Sequence, residues 1–348
     1  MGIVFLKLKN RIYTVYAPND GMKSSWSLKA VYAVIALLGI AVPVADAQNY
    51  PVRPVTLYVG FPAGSANDSM ARTMALQLGD QLGQQFIVIN RDGAAGVIAA
   101  GAVAKMKPDG YSLLWGASGM LAAAPVFNRN TPYDTLRDFA PISIYCYNPY
   151  VMVIHPSIPA KNLRELLALA KSYPGKLSFG SSGVGGALHL ATELMLSMSG
   201  TSMLHVPYRG TPALLLDLMS GQIDSVTTGT AMVVPHIQSG RLRPIGVTGS
   251  KRSSQLPNVP TIAEAALPGY ELVGWYGIVA PAGTPREVIA ILHRNFVRAL
   301  EHTSVKVSIG AEGAQAGGNT PEEFAAFIRS EMEKYAGIIK SARLTPGS

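Results

Sequence analysis

The sequence YVGFPAGSANDSMAR (residues 58–72) sets the architecture of this chain. An apolar strand runs into a loop of small residues, and the loop opens directly onto an amphipathic helix pattern. Gly64 permits close backbone approach, Ser65 or Asn67 can cap the helix, and Asp68 complements the helix dipole or hydrogen-bonds across the site. Because the first N–H groups of a helix lack backbone partners, this arrangement favours a bound anion.

A second strand, loop and helix of the same kind follows about a hundred residues later, in LSFGSSGVGG (residues 177–186). Ser181, Ser182, Gly183 and Gly185 offer hydroxyls and bare amides, and His189 lies on the first turn of the next helix. Two such loops without a recognisable catalytic set favour a protein that holds a small carboxylate without transforming it.

Known enzyme motifs are missing from the sequence. There is no Walker loop, no H-E-x-x-H, no paired cysteines and no G-x-G-x-x-G, and the six histidines lack metal-ligand spacing. We therefore expect neither a cofactor nor a metal. Residues 180–184 resemble the G-x-S-x-G nucleophile elbow but lack its final glycine, so a secreted serine hydrolase using Ser182 remains an alternative.

The composition indicates a large folded protein without a nucleic-acid partner. Of 348 residues, 48% are hydrophobic and 14% charged, which argues against disorder. Residues 1–47 hold five of the 29 basic and two of the 21 acidic residues, so the remaining chain keeps a net charge of +5. This excess is diffuse, without a Lys/Arg cluster.

The N-terminus predicts export to the periplasm. Residues 30–44 form an apolar run, preceded by Lys23 and Lys29 and followed by an Ala-x-Ala ending at Ala47. This is the layout of a cleavable signal peptide, residues 1–47, or 22–47 if Met22 is the true start. An uncleaved anchor is the alternative, although the run is short for a membrane span of about 20 residues.

From about residue 54, strand-like runs alternate with helical patterns, which predicts an α/β fold with parallel sheets. We expect the chain to leave the first lobe near residues 147–150, where Pro149 would interrupt regular structure, and to return to it near residues 269–275. The predicted lobes are residues 48–148 plus 275–348, and residues 149–274, hinged around a ligand cleft. Thr284 and Thr320 are each followed by Pro and Glu, which predicts capped helices over residues 285–302 and 321–341.

These segments together resemble the solute-binding receptors of tripartite tricarboxylate transporters, the Bug family of extracytoplasmic proteins. The likeness runs from about Tyr50 to Leu344, and no single motif is specific by itself. Its marks, in order, are Tyr50-Pro51-x-Arg53-Pro54, the residue 61–72 loop and helix, Pro108-Asp109-Gly110-Tyr111, Pro132-Tyr133-Asp134, Asp138-Phe139-Ala140-Pro141-Ile142, residues 180–189, Pro207-Tyr208-Arg209-Gly210 and Val259-Pro260-Thr261.

The resemblance implies a type II periplasmic-binding-protein fold, in which two α/β lobes close on a ligand. One carboxylate would be gripped between the two loops by backbone amides and hydroxyls. Val97 stands where the family commonly has Asn, which suggests a less polar far end of the ligand. The residues expected to bind the ligand are Phe61, Ala63, Gly64, Ser65, Asp68, Ser118, Ser181, Ser182, Gly183, Gly185, His189, Tyr208 and Trp275.

The expected function is therefore a non-enzymatic periplasmic solute-binding protein for a small organic carboxylate, serving uptake or sensing. The expected partners are the carboxylate and either membrane permease subunits or a sensor protein. We expect the receptor itself to be a monomer.

Overall fold

The computed structural model describes residues 2–8, 11–17, 50–128, 130–208 and 211–345, which fall in two units, residues 1–48 and 49–348. In the first unit, strands Gly2–Leu8 (β1) and Arg11–Ala17 (β2) pair antiparallel. The predicted apolar run and cleavage site of the signal peptide lie outside the described residues. The alternation of strands and helices in the second unit confirms the predicted α/β class.

The second unit is built around one large sheet. Its strands are Val55–Val59 (β3), Phe86–Asn90 (β4), Ser112–Ala117 (β5), Phe139–Ile154 (β6), Ser178–Ser181 (β7), Leu204–Pro207 (β8), Ser225–Gly229 (β9), Arg243–Val247 (β10), Val273–Pro281 (β11) and Gln315–Ala316 (β12). The strand order is β4-β3-β5-β11-β6-β9-β7-β8, and β10 and β12 also pair with β6. β6 is thus the strand to which both halves of the sheet attach.

Helices connect these strands and cover the sheet. They are Ala66–Leu82 (α1), Val97–Val103 (α2), Ala124–Phe127 (α3), Thr135–Asp138 (α4), Leu163–Ser172 (α5), Ala187–Ser199 (α6), Thr211–Met219 (α7), Thr230–Gln238 (α8), Ile262–Ala265 (α9), Arg286–Leu300 (α10), Thr303–Ala311 (α11) and Pro321–Ser341 (α12). A 3₁₀ turn covers Ala94–Gly96 and a π-helix covers Gly119–Ala123.

The two halves of the sheet have the same internal arrangement. β3 pairs parallel with β4 and β5 in the first half, and β7 pairs parallel with β8 and β9 in the second. β11 and β9 both run antiparallel to β6. The chain passes from the first half to the second along β6 and returns through β11.

β6 corrects the prediction that Pro149 interrupts regular structure. The strand is continuous over 16 residues and passes through Pro149. Pro149 lies opposite Val273, at the end of the pairing with β11, and the next residue, Tyr150, already pairs with Gly229 of β9. Because the ladder changes partners at this point, the missing N–H of proline is tolerated there.

Local capping signals were informative for one of the two long C-terminal helices. The Thr320 side chain accepts from the Glu323 N–H, and the Glu323 carboxylate accepts from the Thr320 N–H, which is the predicted capping box. The predicted cap by Thr284 is wrong. Its hydroxyl donates to the Pro281 carbonyl at 2.7 Å, and Pro285 takes the N-cap position without a side-chain hydrogen bond.

Helix α12 closes the fold over the middle of the sheet. Phe324, Ile328, Tyr335 and Ile338 are buried and form the apolar face of the helix. The helix contacts β6, the π-helix of the first half and α6 of the second half. α12 therefore packs against elements from both halves.

Candidate functional site

The register of the sheet brings the loop ends of both halves to the middle of β6. Tyr276 of β11 lies opposite Ala117, the last residue of β5, and opposite Cys146 of β6. On the other side, Tyr150 of β6 lies opposite Gly229, the last residue of β9. Ligands of open α/β sheets bind outside the carboxyl ends of their strands. Here those ends meet near residues 146–150.

The first loop, residues 60–67, follows β3 and is fixed by a network around Asp68. The buried Asp68 carboxylate accepts from the Gly64 N–H at 2.9 Å, from Asn90 Nδ2 at 2.8 Å and from Arg72 Nε at 3.0 Å. Asn90 Nδ2 also donates to the Phe61 carbonyl at 3.0 Å. Asp68 thus stabilises the loop through hydrogen bonds within the protein. Hydrogen bonding was one of the two roles considered for Asp68 from the sequence.

The electrostatics of Asp68 match this bracing role. Burial raises the pKa of the carboxyl, but hydrogen bonds from Arg72, Gly64 and Asn90 outweigh burial and hold the pKa below its usual value. The carboxylate is therefore ionised with its charge engaged by internal donors. A direct contact between Asp68 and the ligand stays a prediction.

The other first-loop residues present backbone and small side chains. Ala63 and Gly64 are exposed, and Gly64 has a φ of 78°. Ser65 is the N-cap of α1 and accepts from the Asp68 N–H at 3.3 Å, as one of the two predicted caps. The half-buried Phe61 ring packs against two separate clusters of buried hydrophobic residues.

The second loop, residues 181–186, follows β7 and is organised by a buried serine. Ser181 Oγ lies 2.7 Å from His205 Nε2 and accepts from the Gly183 N–H at 3.2 Å. Gly183 and Gly185 have φ values of 143° and 74°, in the region that favours glycine. Ser182 is exposed, and no hydrogen bond of its side chain is found in the part of the chain that the structure describes.

Two stacked histidines support the second loop. His189, on the first turn of α6, is buried, and its Nδ1 accepts from the Gly185 N–H at 3.0 Å. Its ring stacks on His205 with centroids 3.9 Å apart, and His205 stacks in turn on Phe179 at 4.9 Å. Burial, then the neighbouring His189, lowers the pKa of His205 to about 4, so His205 is uncharged at neutral pH.

The second loop lies against the first half of the sheet. A Cβ placed on Gly185 would come within 2.3 Å of the Phe127 ring of α3. A Cβ on Gly119 would lie 3.9 Å from the Ala187 N–H nitrogen. The loop therefore sits beside the π-helix that follows β5 and Ser118, so elements of both halves border the site.

Three predicted residues have their polar atoms in internal contacts. The Tyr208 hydroxyl donates to Asp217 Oδ2 at 2.7 Å, and burial followed by this bond raises the tyrosine pKa to about 12. Trp275 is fully buried, and its Nε1 donates to Glu331 Oε2 at 3.2 Å. Ser118 is buried near Tyr150 and Tyr335, whose pKa values it lowers against the larger effect of burial. Their contacts with a ligand stay predictions.

Sequence reasoning passed over the buried polar residues near the middle of β6. Asn148 is 3% exposed, and its Oδ1 has no hydrogen-bond partner in the structure. Tyr276 lies diagonally opposite it on β11, and Asn67 was considered only as a helix cap. The sequence signal that could have pointed to Asn148 is an asparagine within an apolar strand, at the place where the chain is predicted to cross between the lobes.

Neither a metal centre nor a membrane span is found. Among the described residues, no group of three or more His, Cys, Asp or Glu side chains is arranged to hold a metal ion. In the same residues, no helix combines the length and the apolar character needed to cross a bilayer.

Comparison with known proteins identifies the family. The profile described as "Tripartite tricarboxylate transporter family receptor" matches residues 70–344. This chain belongs to that family. The protein BugT of Bordetella pertussis is 36% identical over 314 residues, covering 90% of this chain and 96% of BugT.

Solved structures of family members share the fold. An R. palustris protein solved with adipate is 34% identical with a TM-score of 0.78, covering 85% of this chain and 99% of the other. The periplasmic binding protein BugD is 32% identical with a TM-score of 0.76, covering 85% and 99%. The predicted two-lobed periplasmic-binding-protein fold and receptor family are confirmed, and the chain is a periplasmic solute-binding protein.

Proposed function

We propose that this receptor captures a small organic carboxylate between its first and second loops. The observation that carries the proposal is the N-terminus of α6. Its N-cap, Gly186, provides no side-chain hydrogen bond, so the first N–H groups of a 13-residue helix face the site without a capping partner. Such groups form a ready-made anion site. The adipate bound by the R. palustris relative supports this ligand class.

The proposed grip relies on neutral dipoles. In the first loop, the ionised Asp68 already satisfies the Gly64 N–H, and Arg72 is paired with Asp68. In the second loop, His189 and His205 are stacked, and the pKa of His205 is lowered to about 4. We infer that backbone amides and the hydroxyls of Ser65 and Ser182 hold the carboxylate, because charged side chains near the loops are already engaged.

We infer that binding closes the two lobes, with residues 48–148 and 275–348 in one and 149–274 in the other. Ligand-driven closure requires tighter binding to the closed state, and reversing a 1:99 population takes about 5.5 kcal/mol of preferential binding. β6 and β11, which carry the chain between the halves, are the segments on which such a hinge would act.

The receptor is proposed to act without turnover. A hydrolase at Ser182 needs a histidine base next to the hydroxyl, and among the described residues no histidine hydrogen-bonds to the exposed Ser182. Ser181 does contact His205, but a histidine with a pKa of about 4 is a weak base at neutral pH. Export by a cleaved signal peptide, a monomeric state, and docking on permease subunits or a sensor protein complete the proposal.

Thermal unfolding against a panel of carboxylates tests this function. The protein is purified from the periplasm, freed of copurified ligand by unfolding and refolding, and heated with mono-, di- and aromatic carboxylates. A ligand at a hundred times its Kd adds about 2.7 kcal/mol to the free energy of unfolding. Stabilisation by an acid and not by its amide supports the proposal. Failure of every acid to stabilise the protein contradicts it.

A further inference from the structure

Asn148 lies at the centre of the site with an unused hydrogen-bond acceptor. Its side chain is 3% exposed, and its Oδ1 has no hydrogen-bond partner among the residues that the structure describes. Leaving a buried polar atom unpaired destabilises the folded protein, so such an atom calls for an explanation. Its position in the middle of β6, where the loop ends of both halves meet, makes a ligand the natural partner.

Two neighbours share the chemistry of Asn148. Tyr276 pairs with Cys146, two residues before Asn148, so both side chains lie on the same face of adjacent strands. Asn67, in the first turn of α1, also carries a buried Oδ1 without a partner. Burial raises the pKa of Tyr276, and the nearby Asn148 and Asn67 side chains partly oppose this rise.

The charges around Asn148, Asn67 and Tyr276 disfavour a second carboxylate of the ligand at this position. Besides burial, the groups that raise the pKa values of Tyr276 and Tyr150 are tyrosines, Cys146 and Glu331, and no lysine or arginine among the described residues contributes. Glu331 is itself a buried carboxylate, bonded to Trp275 and paired with Lys334 at 2.6 Å. An anion placed here would be desolvated without a cation to pair with.

We propose that the far end of the ligand carries a neutral hydrogen-bond donor, a hydroxyl group, received by Asn148 together with Asn67 and Tyr276. The inference rests on the proposed function, since the carboxylate end must be held by the two loops. It differs from the expectation drawn from Val97, because the far end meets amide and hydroxyl groups. It also separates this receptor from the relative solved with the dicarboxylate adipate.

Matched sets of linear acids test the proposal by isothermal titration calorimetry. At four, five and six carbons, each set contains the unsubstituted acid, its ω-hydroxy derivative and the dicarboxylic acid. At the best length, the ω-hydroxy acid is expected to bind at least tenfold tighter than either of the others, about 1.4 kcal/mol. A dicarboxylic or unsubstituted acid that binds tightest overturns the proposal.

The variant Asn148→Leu tests whether Asn148 causes the preference for the ω-hydroxy acid. This variant keeps the side-chain size and removes the acceptor, so the hydroxy acid is expected to lose its advantage while the unsubstituted acid keeps its affinity. Thr135→Val is the matched control, because it removes a buried, unpartnered hydroxyl at α4 and should leave the preference unchanged. An advantage that survives in Asn148→Leu overturns the assignment.

Two further results keep the test decisive. If Asn148→Leu does not fold, Asn67→Ala and Tyr276→Phe must each reduce the hydroxyl preference, since the proposal assigns the ligand hydroxyl to these side chains together with Asn148. If acids bind without a preference for the hydroxyl, the inference fails and the proposed function stands. If no acid binds to the wild-type protein, the proposed function fails, and this inference with it.

Discussion

The first and second loops have the same strand–loop–helix design but are stabilised in different ways. In the first, an ionised Asp68 ties together Gly64, Asn90 and Arg72, and Ser65 caps the helix. In the second, two histidines make the contacts, His189 with Gly185 and His205 with Ser181, and no side chain caps α6. The two loops thus differ in that α1 has a side-chain cap, whereas the N-terminus of α6 has none and keeps backbone donors for a ligand.

The largest effect is expected from removing the carboxylate that braces the first loop. Asp68→Ala leaves Asn90 and Arg72 without their shared hydrogen-bond acceptor at a buried position. We expect a loss of about 3 kcal/mol in the free energy of unfolding and a loss of carboxylate binding of more than tenfold. Urea unfolding and calorimetry measure the two quantities. Asp80→Ala, an exposed acid on the same helix, is the control and should behave as wild type.

A smaller effect is expected from Gly185→Ala in the second loop. The new Cβ would lie 2.3 Å from the Phe127 ring, and the φ of 74° is strained for alanine. We expect a loss of about 2 kcal/mol in stability, with weaker binding because the α6 N-terminus is displaced. Gly200→Ala separates strain from contact, since its φ is 62° with open space around it. Equal losses of binding in both variants would refute this role for the second loop.

The smallest effect is a pH dependence of stability from His205. Its pKa is about 4 in the folded protein and about 6.5 in the unfolded chain, so the unfolded chain binds more protons between these values. Stability is therefore expected to fall by about 1–2 kcal/mol as pH drops from 6.5 towards 4, after allowance for solvent screening. Urea titrations across this range should give a flatter profile in His205→Asn than in the control His302→Asn, which changes an exposed histidine.

Local sequence signals predicted elements whose limits depend on nearby residues. Helix α12 begins and ends where the pattern places it, and the Thr320 capping box is present. The passage of β6 through Pro149 was missed because it depends on where distant strands change partners. Thr284 shows the same limit, since its hydroxyl found a closer acceptor in Pro281.

The candidate site was predictable only in part for the same reason. Glycines and small residues mark both loops in the sequence, since close backbone approach demands them. The contact of His205 with Ser181 needs the parallel register of β7 and β8, in which Phe179 pairs with His205. The burial of Asn148 needs β11 and β9 on either side of β6. A single sequence does not specify these long-range pairings.

A crystal structure with the acid that stabilises the protein most tests the central claim directly. The account predicts one carboxylate within about 2.7–3.2 Å of backbone N–H groups from both the first loop and the first turn of α6. A carboxylate bound to only one loop, or held by a lysine or arginine elsewhere, would contradict it.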